Sequence, residues 1–407
     1  MSRYTARFPM IRTPFLSSRS GRALPRAVWM LGLVSLLMDS SSELVHALLP
    51  VFMTSVLGAS MLEVGVVEGI AEGTAAITKL FSGTISDRLG LRKPLVALGY
   101  GLAALSKPLF PLASSISLVL GARFIDRIGK GIRGAPRDAL IADITPAELR
   151  GTAYGLRQAL DSVGAVVGPL AGAALMALLA GNIRVVLWAA VLPAVLAVLV
   201  VLLGVREPSP QPSTEPRAWL SYAGLSTLGA RYWLVLLLGS VLTLARFSEA
   251  FLLLRAADLG LAFGYVPLVM ALMSAVYALS AYPAGLAADR GHRRALLGWG
   301  LGALIVADVA LADAGSLGTV FTGAVLWGVH MGLTQGLLSA LVADAAPARL
   351  RGTAFGVFNL VTGLTLVAAS VLAGWLWKTL GPAWTFGCGA AFTTIALVGL
   401  LAAARAR

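Results

Sequence analysis

The chain is short of charge, of acids and of cysteine. Only 13% of its 407 residues are Asp, Glu, Lys or Arg, against about 25% in soluble domains, which excludes folding around one water-surrounded core. A single cysteine, Cys388, excludes an internal disulfide. No G-x4-GK[ST] stretch occurs, so nothing resembles the phosphate loop of a nucleotide-driven machine. Acidic residues number 19 against 32 basic ones, a net charge of +13. The basic residues sit in an N-terminal tail and in alternate loops rather than in a globular basic module, so nucleic acid is not an expected partner. Also missing is the short alternating pattern of a membrane barrel.

What remains is apolar: 58% of residues are hydrophobic, and the mean hydropathy is +0.84. Runs of about 20 apolar residues, each able to cross roughly 30 Å of hydrocarbon, recur along the chain. Twelve candidate spans cover 27–57, 63–86, 94–112, 116–141, 152–178, 184–204, 232–255, 264–288, 295–312, 316–343, 353–377 and 383–403. Residues 1–26 carry six arginines and no acid and read as a basic cytoplasmic tail. The stretch VREPSPQPSTEPRAW opens a solvated, non-helical linker over 205–231. It separates a six-span half at 27–204 from a second at 232–403.

The halves repeat each other. LIADITPAELRGTAYG at 140–155 aligns without gaps with LVADAAPARLRGTAFG at 341–356, and 11 of 16 positions are identical. GTISDRLGLRKP at 83–94 matches GLAADRGHRRA at 285–295 in the same way, one residue shorter before its basic pair. Six spans per half make the repeat parallel, related by an axis along the membrane normal. Lys and Arg concentrate in the tail, the linker and the loops near Arg88, Arg150, Arg290 and Arg349. The positive-inside bias therefore places both termini in the cytoplasm and the chain in an inner membrane.

Two sets of six spans, with GTISDRLGLRK after the second span and GLAADRGHRR after the eighth, resemble the major facilitator superfamily. The resemblance implies an all-α fold of twelve helices in two pseudo-symmetric halves. It assigns Gly83, Asp87, Arg88 and Arg92 to a conformational latch, with Gly285, Asp289 and Arg290 as its second copy. Span five, GLRQALDSVGAVVGPLAGAAL, places Gly155, Gly164, Gly168, Pro169 and Gly172 as in the antiporter signature of the drug:proton branch, with Ala173 in place of a final Gly. Glycines on one face allow close packing, and the proline bends the helix. Span one keeps Pro50 and Val51 of the related drug antiporters but has Leu44 and Met53 where that pattern has Gly and Pro.

Ionisable residues in spans cost at least about 2.5–3.5 kcal/mol each at the bilayer centre and mark function by default. Asp39, Glu43 and His46 share one narrow stripe of span one; Arg123, Arg127, Lys130 and Arg137 form a cationic stripe on span four. A rise of about 1.5 Å per residue brings Asp39, Glu72, Asp126, Arg127 and Asp161 near the midplane, and span seven adds Arg246 and Glu249. The two stripes are expected to face each other as an ion-pair network rearranged in transport, with Asp39 as the leading proton-coupling carboxylate. Lys130, Arg133 and Arg137 are read as interfacial or latch residues. Lys107 and Asp308 fit no such place.

These features point to a secondary transporter working by alternating access. It is read as a proton-coupled exporter of a small polar or charged molecule, monomeric, without cofactor and not an enzyme. Two alternatives stay open. One is a ferroportin-like exporter of a divalent metal or chelate, with Asp39, Glu43, His46 and His330 as candidate ligands. The other is a receptor or assembly factor that no longer moves solute.

Overall fold

The computed structural model describes residues 24–89, 92–206, 228–347 and 350–405. Most of the basic tail and of the linker, and the side chains of Asp87, Arg88 and Asp289, lie outside what is described. All regular structure among the described residues is helical.

In the first half, α1 (Arg26–Val51) runs into one π-helical turn at Phe52–Val56. There follow α2 (Met61–Leu89), α3 (Lys93–Ser106), α4 (Leu109–Leu112), α5 (Ile116–Ile144), α6 (Arg150–Leu178), α7 (Ile183–Ala189) and α8 (Val191–Gly204). The second half holds α9 (Ala230–Ala245), α10 (Ala250–Asp258), α11 (Val266–Asp289), α12 (Arg293–Ala312), α13 (Leu317–Ala345), α14 (Arg351–Leu380) and α15 (Pro382–Arg405). Among the described residues, ten segments are long and apolar enough to cross a membrane. Of the twelve spans expected, the remaining two are α2 and α5, each 29 residues long but carrying the densest buried charge.

The repeat extends to local detail. Ser115 caps α5 by accepting from the Leu118 amide at 3.4 Å, and Ser316 caps α13 by accepting from Thr319 at 3.3 Å. Near the basic loops, Leu31 packs with Ile141 and Ala153; Tyr232, at the matching position, packs with Val342 and Ala354. These contacts also bring the start of α1, the end of α5, the start of α6 and the end of α8 to one side, here called the basic face. Arg92 of the first basic loop pairs with Asp143 at 3.3 Å, and Arg293 of the second pairs with Asp344 at 2.6 Å. Both acids belong to the repeated L-x-A-D stretch. Arg293 is therefore the counterpart of Arg92, as the shortened spacing before the second basic pair implies, while Arg290, at the position matching Arg88, is exposed.

Away from the basic face the halves share one core, in which Leu44–Phe52 side chains of α1 meet Phe251 of α10, Met270 of α11 and Trp377 of α14. At its centre Phe247 meets Trp327 edge-on and Phe386 at a tilt, with ring centroids 5.7 and 5.5 Å away. That apolar body closes the bundle on the side opposite the basic loops.

The span-five glycines earn their place by close approach to α1. A Cβ at Gly168 would lie 2.5 Å from the Ser40 carbonyl oxygen, and one at Gly164 would lie 2.8 Å from that of Leu36. Both points flank the backbone that carries Asp39 and Glu43. Gly155 is different: a Cβ there meets open space. Gly168→Val should therefore lower thermal stability in detergent by about 1–3 kcal/mol through overpacking, whereas Gly155→Ala should match the parent in the same melting assay.

Candidate functional site: a charged cavity between the halves

Three chains of paired charge run through the first half, the first two largely buried and the third half-buried. In the first, His46 lies between Glu43 (Nδ1 to Oε2, 3.3 Å) and Glu68 (Nε2 to Oε2, 3.5 Å). Glu68 in turn accepts from Arg123 at 2.5 Å, and neither is more than 1% exposed. In the second, Glu72 pairs with Arg127 at 3.0 Å, Arg127 lies 3.6 Å from Asp126, and Asp126 accepts from Lys107 at 2.7 Å. Lys107 also donates to Ser42 of α1 at 3.0 Å. In the third, Asp161 pairs with Arg157 at 2.8 Å, and Asp138 stands 3.9 Å from Arg157 and 3.4 Å from Arg137. Arg137 then donates to Ser35 and Tyr100. Pairing of this kind offsets the desolvation that each charge would otherwise suffer inside the bilayer.

These chains surround a cavity of about 520 Å³ lined by α1, α2, α5 and α6 on one side and α9, α11 and α14 on the other. Its carboxylates are Asp39, Glu43, Glu72 and Asp161; its cations are Lys79, Lys130, Arg133, Arg137 and Arg246. A smaller cavity of about 260 Å³ joins it through Glu43, Glu72, Lys130 and Arg246, and adds His46, Glu68, Glu249 and Gln335. Arg246 and Glu249 flank a break between α9 and α10, where four residues leave the helix in mid-span. Such a break frees backbone polar groups beside a cavity, a device that transporters use at substrate sites.

Several expectations change. The stripe of Asp39, Glu43 and His46 does not face the span-four stripe directly; Glu68 and Glu72 of α2 stand between as its ionic partners. Asp39 has no cation within 4 Å among the described residues, so the Arg partner expected for it is missing. Lys130, Arg133 and Arg137 line the cavity rather than the membrane interface. Lys107 now has a place, locked to Asp126. Asp308 is fully buried in α12 with neither oxygen hydrogen-bonded, and nothing in the structure explains it. His330 sits in the second half, 2.9 Å from the Gly300 carbonyl, and so does not join the span-one stripe. Among the described residues no group of three or more His, Cys, Asp or Glu is placed to hold a metal. Glu68 and Lys79 share one stripe of α2 with Glu72, but only the packed structure shows that Glu68 meets His46 and Arg123 and that Lys79 lines the cavity.

The Major Facilitator Superfamily profile matches residues 31–254 and 235–407. The chain belongs to this superfamily. An uncharacterized MFS-type transporter of Methanocaldococcus jannaschii is 32% identical over 392 residues, 95% of this chain and 96% of that one. The inner membrane transport protein YajR of Escherichia coli is 24% identical, over 86% of this chain and 77% of its own. Among solved structures, a point mutant of the nucleoside transporter NupG aligns with a TM-score of 0.78 at 12% identity, covering 92% of this chain and 99% of that one. A bacterial homologue of the human lysosomal transporter Spinster, in an inward-facing state, gives 0.75 at 18% identity, over 93% and 96%. The protein is thus a multi-pass integral membrane transporter with the major facilitator fold.

The Glu68–Arg123 pair is buried so completely that loss of one partner should cost about 3–5 kcal/mol, while apolar replacement of both should cost far less. Arg123→Met alone is expected to lower the yield of folded protein in size-exclusion chromatography. Glu68→Leu combined with Arg123→Met should recover most of it.

Proposed function

We propose that this transporter exports a small anionic or zwitterionic solute in exchange for protons. One observation carries the reading: the main cavity presents Lys79, Lys130, Arg133 and Arg246 without a carboxylate within 4 Å among the described residues, against one carboxylate without a cation, Asp39. A surplus of unpaired cations in a site of low dielectric constant attracts an anion and rejects a bare cation. That balance also argues against the metal-export reading.

Asp39 is the proton-coupling residue in this scheme, and Glu249, in the smaller cavity, is a further carboxylate without an ionic partner among the described residues. Asp39 lies beside Gly164, where α6 touches α1, so movement of α6 alters its surroundings. Protonation removes its charge as the cavity turns to one side, and release on the other side restores it. Export rather than import follows from the resemblance of the Gly155–Gly172 stretch to the antiporter signature. The latch role of Gly83, Asp87, Arg88 and Arg92 is proposed on the same footing, supported by the Arg92–Asp143 pair.

A thermal-shift screen of purified protein should show stabilisation by organic anions or zwitterions and none by organic cations of similar size. For the best hit, proteoliposomes with an imposed pH gradient should accumulate solute. Asp39→Asn should lose the response to the gradient while retaining binding, and Arg246→Gln should weaken binding. Gradient-driven uptake unchanged in Asp39→Asn would remove Asp39 from the coupling role.

A further inference from the structure

Outside the central cavity, a cleft of about 730 Å³ opens at the basic face of the second half, between α9, α12 and α15. Its inner walls are apolar, formed by Leu234, Leu238 and Val241 of α9 with Ile395 and Leu400 of α15. Its rim is cationic: Arg231, Arg293 and Arg294 meet there beside His292, with Asp344 as the one acid in the lining. Asp344 is already neutralised by Arg293 at 2.6 Å. Arg231 and Arg294 are both exposed, and neither has an ion-pair or hydrogen-bond partner among the described residues.

Comparison with the first half shows that the fold does not require this cleft. At the position matching Arg231 stands Met30, which packs against Gly204 at the end of α8; a Cβ on Gly204 would lie 3.1 Å from the Met30 side chain. At the position matching Arg294 stands Lys93, which donates to the Leu202 carbonyl at 3.0 Å. In the first half, then, apolar packing and a lysine-to-backbone bond occupy the corresponding positions. The second half replaces Met30 by an arginine and leaves its Arg294 without such an acceptor. A Cβ on Gly399, in the wall of the cleft, meets nothing within 4 Å.

We propose that this cleft holds one anionic phospholipid of the basic-face leaflet, its phosphate bound by Arg231 and Arg294 and one acyl chain lying along α9 and α15. The charges stand at the end of the helices, where headgroups lie, and the apolar walls run from there into the hydrocarbon region. Basic pockets between helices that meet such a surface suit anionic headgroups, and exposed guanidinium groups bind phosphate through paired N–H donors.

The test uses the full chain in mild detergent, with phosphatidylglycerol, phosphatidylcholine and glycerol 3-phosphate as probes, read by native mass spectrometry and thermal shift. Phosphatidylglycerol should bind stoichiometrically and stabilise the protein, while phosphatidylcholine and free glycerol 3-phosphate should not. Arg231→Gln with Arg294→Gln should weaken phosphatidylglycerol binding roughly 25-fold, at about a factor of five for each charge. Gly399→Phe keeps both arginines but fills the wall, and should also abolish binding. A control double change at the basic face of the first half, Arg26→Gln with Arg206→Gln, removes the same charge away from the cleft and should leave binding within about twofold of the parent. Equal binding of phosphatidylcholine, an equal effect of glycerol 3-phosphate, or retention of binding in Gly399→Phe would overturn the proposal.

Discussion

Everything in this transporter turns on the cost of placing charge inside a bilayer and on which charges are left without a partner. Glu68 with Arg123 and Asp126 with Lys107 are almost wholly buried and matched within 2.7 Å. Their pairing fixes the register of α2, α3 and α5 against one another, and it draws α1 in through His46 and Ser42. The first half thereby becomes an ionic frame. The cavity is the surface of that frame where pairing stops.

The second half answers with different means. Its core is aromatic, with Phe247, Trp327 and Phe386 packed together, and its cavity charges are confined to Arg246 and Glu249 beside the break in span seven. One backbone plan thus serves two roles: a charged, rigid half and an apolar, broken-helix half. The contacts that do repeat are those at the basic face, Arg92–Asp143 and Arg293–Asp344, where both halves solve the same problem of holding a loop to a helix end.

Much of this was legible in the sequence. Hydropathy is enough for ten of the spans, whereas α2 and α5 carry too much charge to be read that way, and the 11 matches in 16 between 140–155 and 341–356 point to the repeat. The Gly164 and Gly168 spacing foretold a close helix crossing, because only a residue without a side chain permits it. The ionic partners were harder to read. Helical periodicity assigns a residue to a face of its own helix but says nothing of which neighbour that face meets, so α2 was passed over as the partner of both α1 and α5. The break at 246–249 was hidden for a related reason: RFSE contains neither proline nor glycine, and tertiary packing opens the helix there. Lys107 looked anomalous because its partner, Asp126, lies 19 residues away on another helix.

The central claim is that Asp39 is the cavity carboxyl whose proton comes and goes, while the paired carboxylates of the frame stay ionised. Infrared difference spectroscopy of the purified protein across a pH titration measures this directly. A protonated-carboxyl band that rises and falls reversibly with pH should vanish in Asp39→Asn and persist in Asp161→Asn and in Glu249→Gln. A set of titrating bands left unchanged in Asp39→Asn would contradict the account.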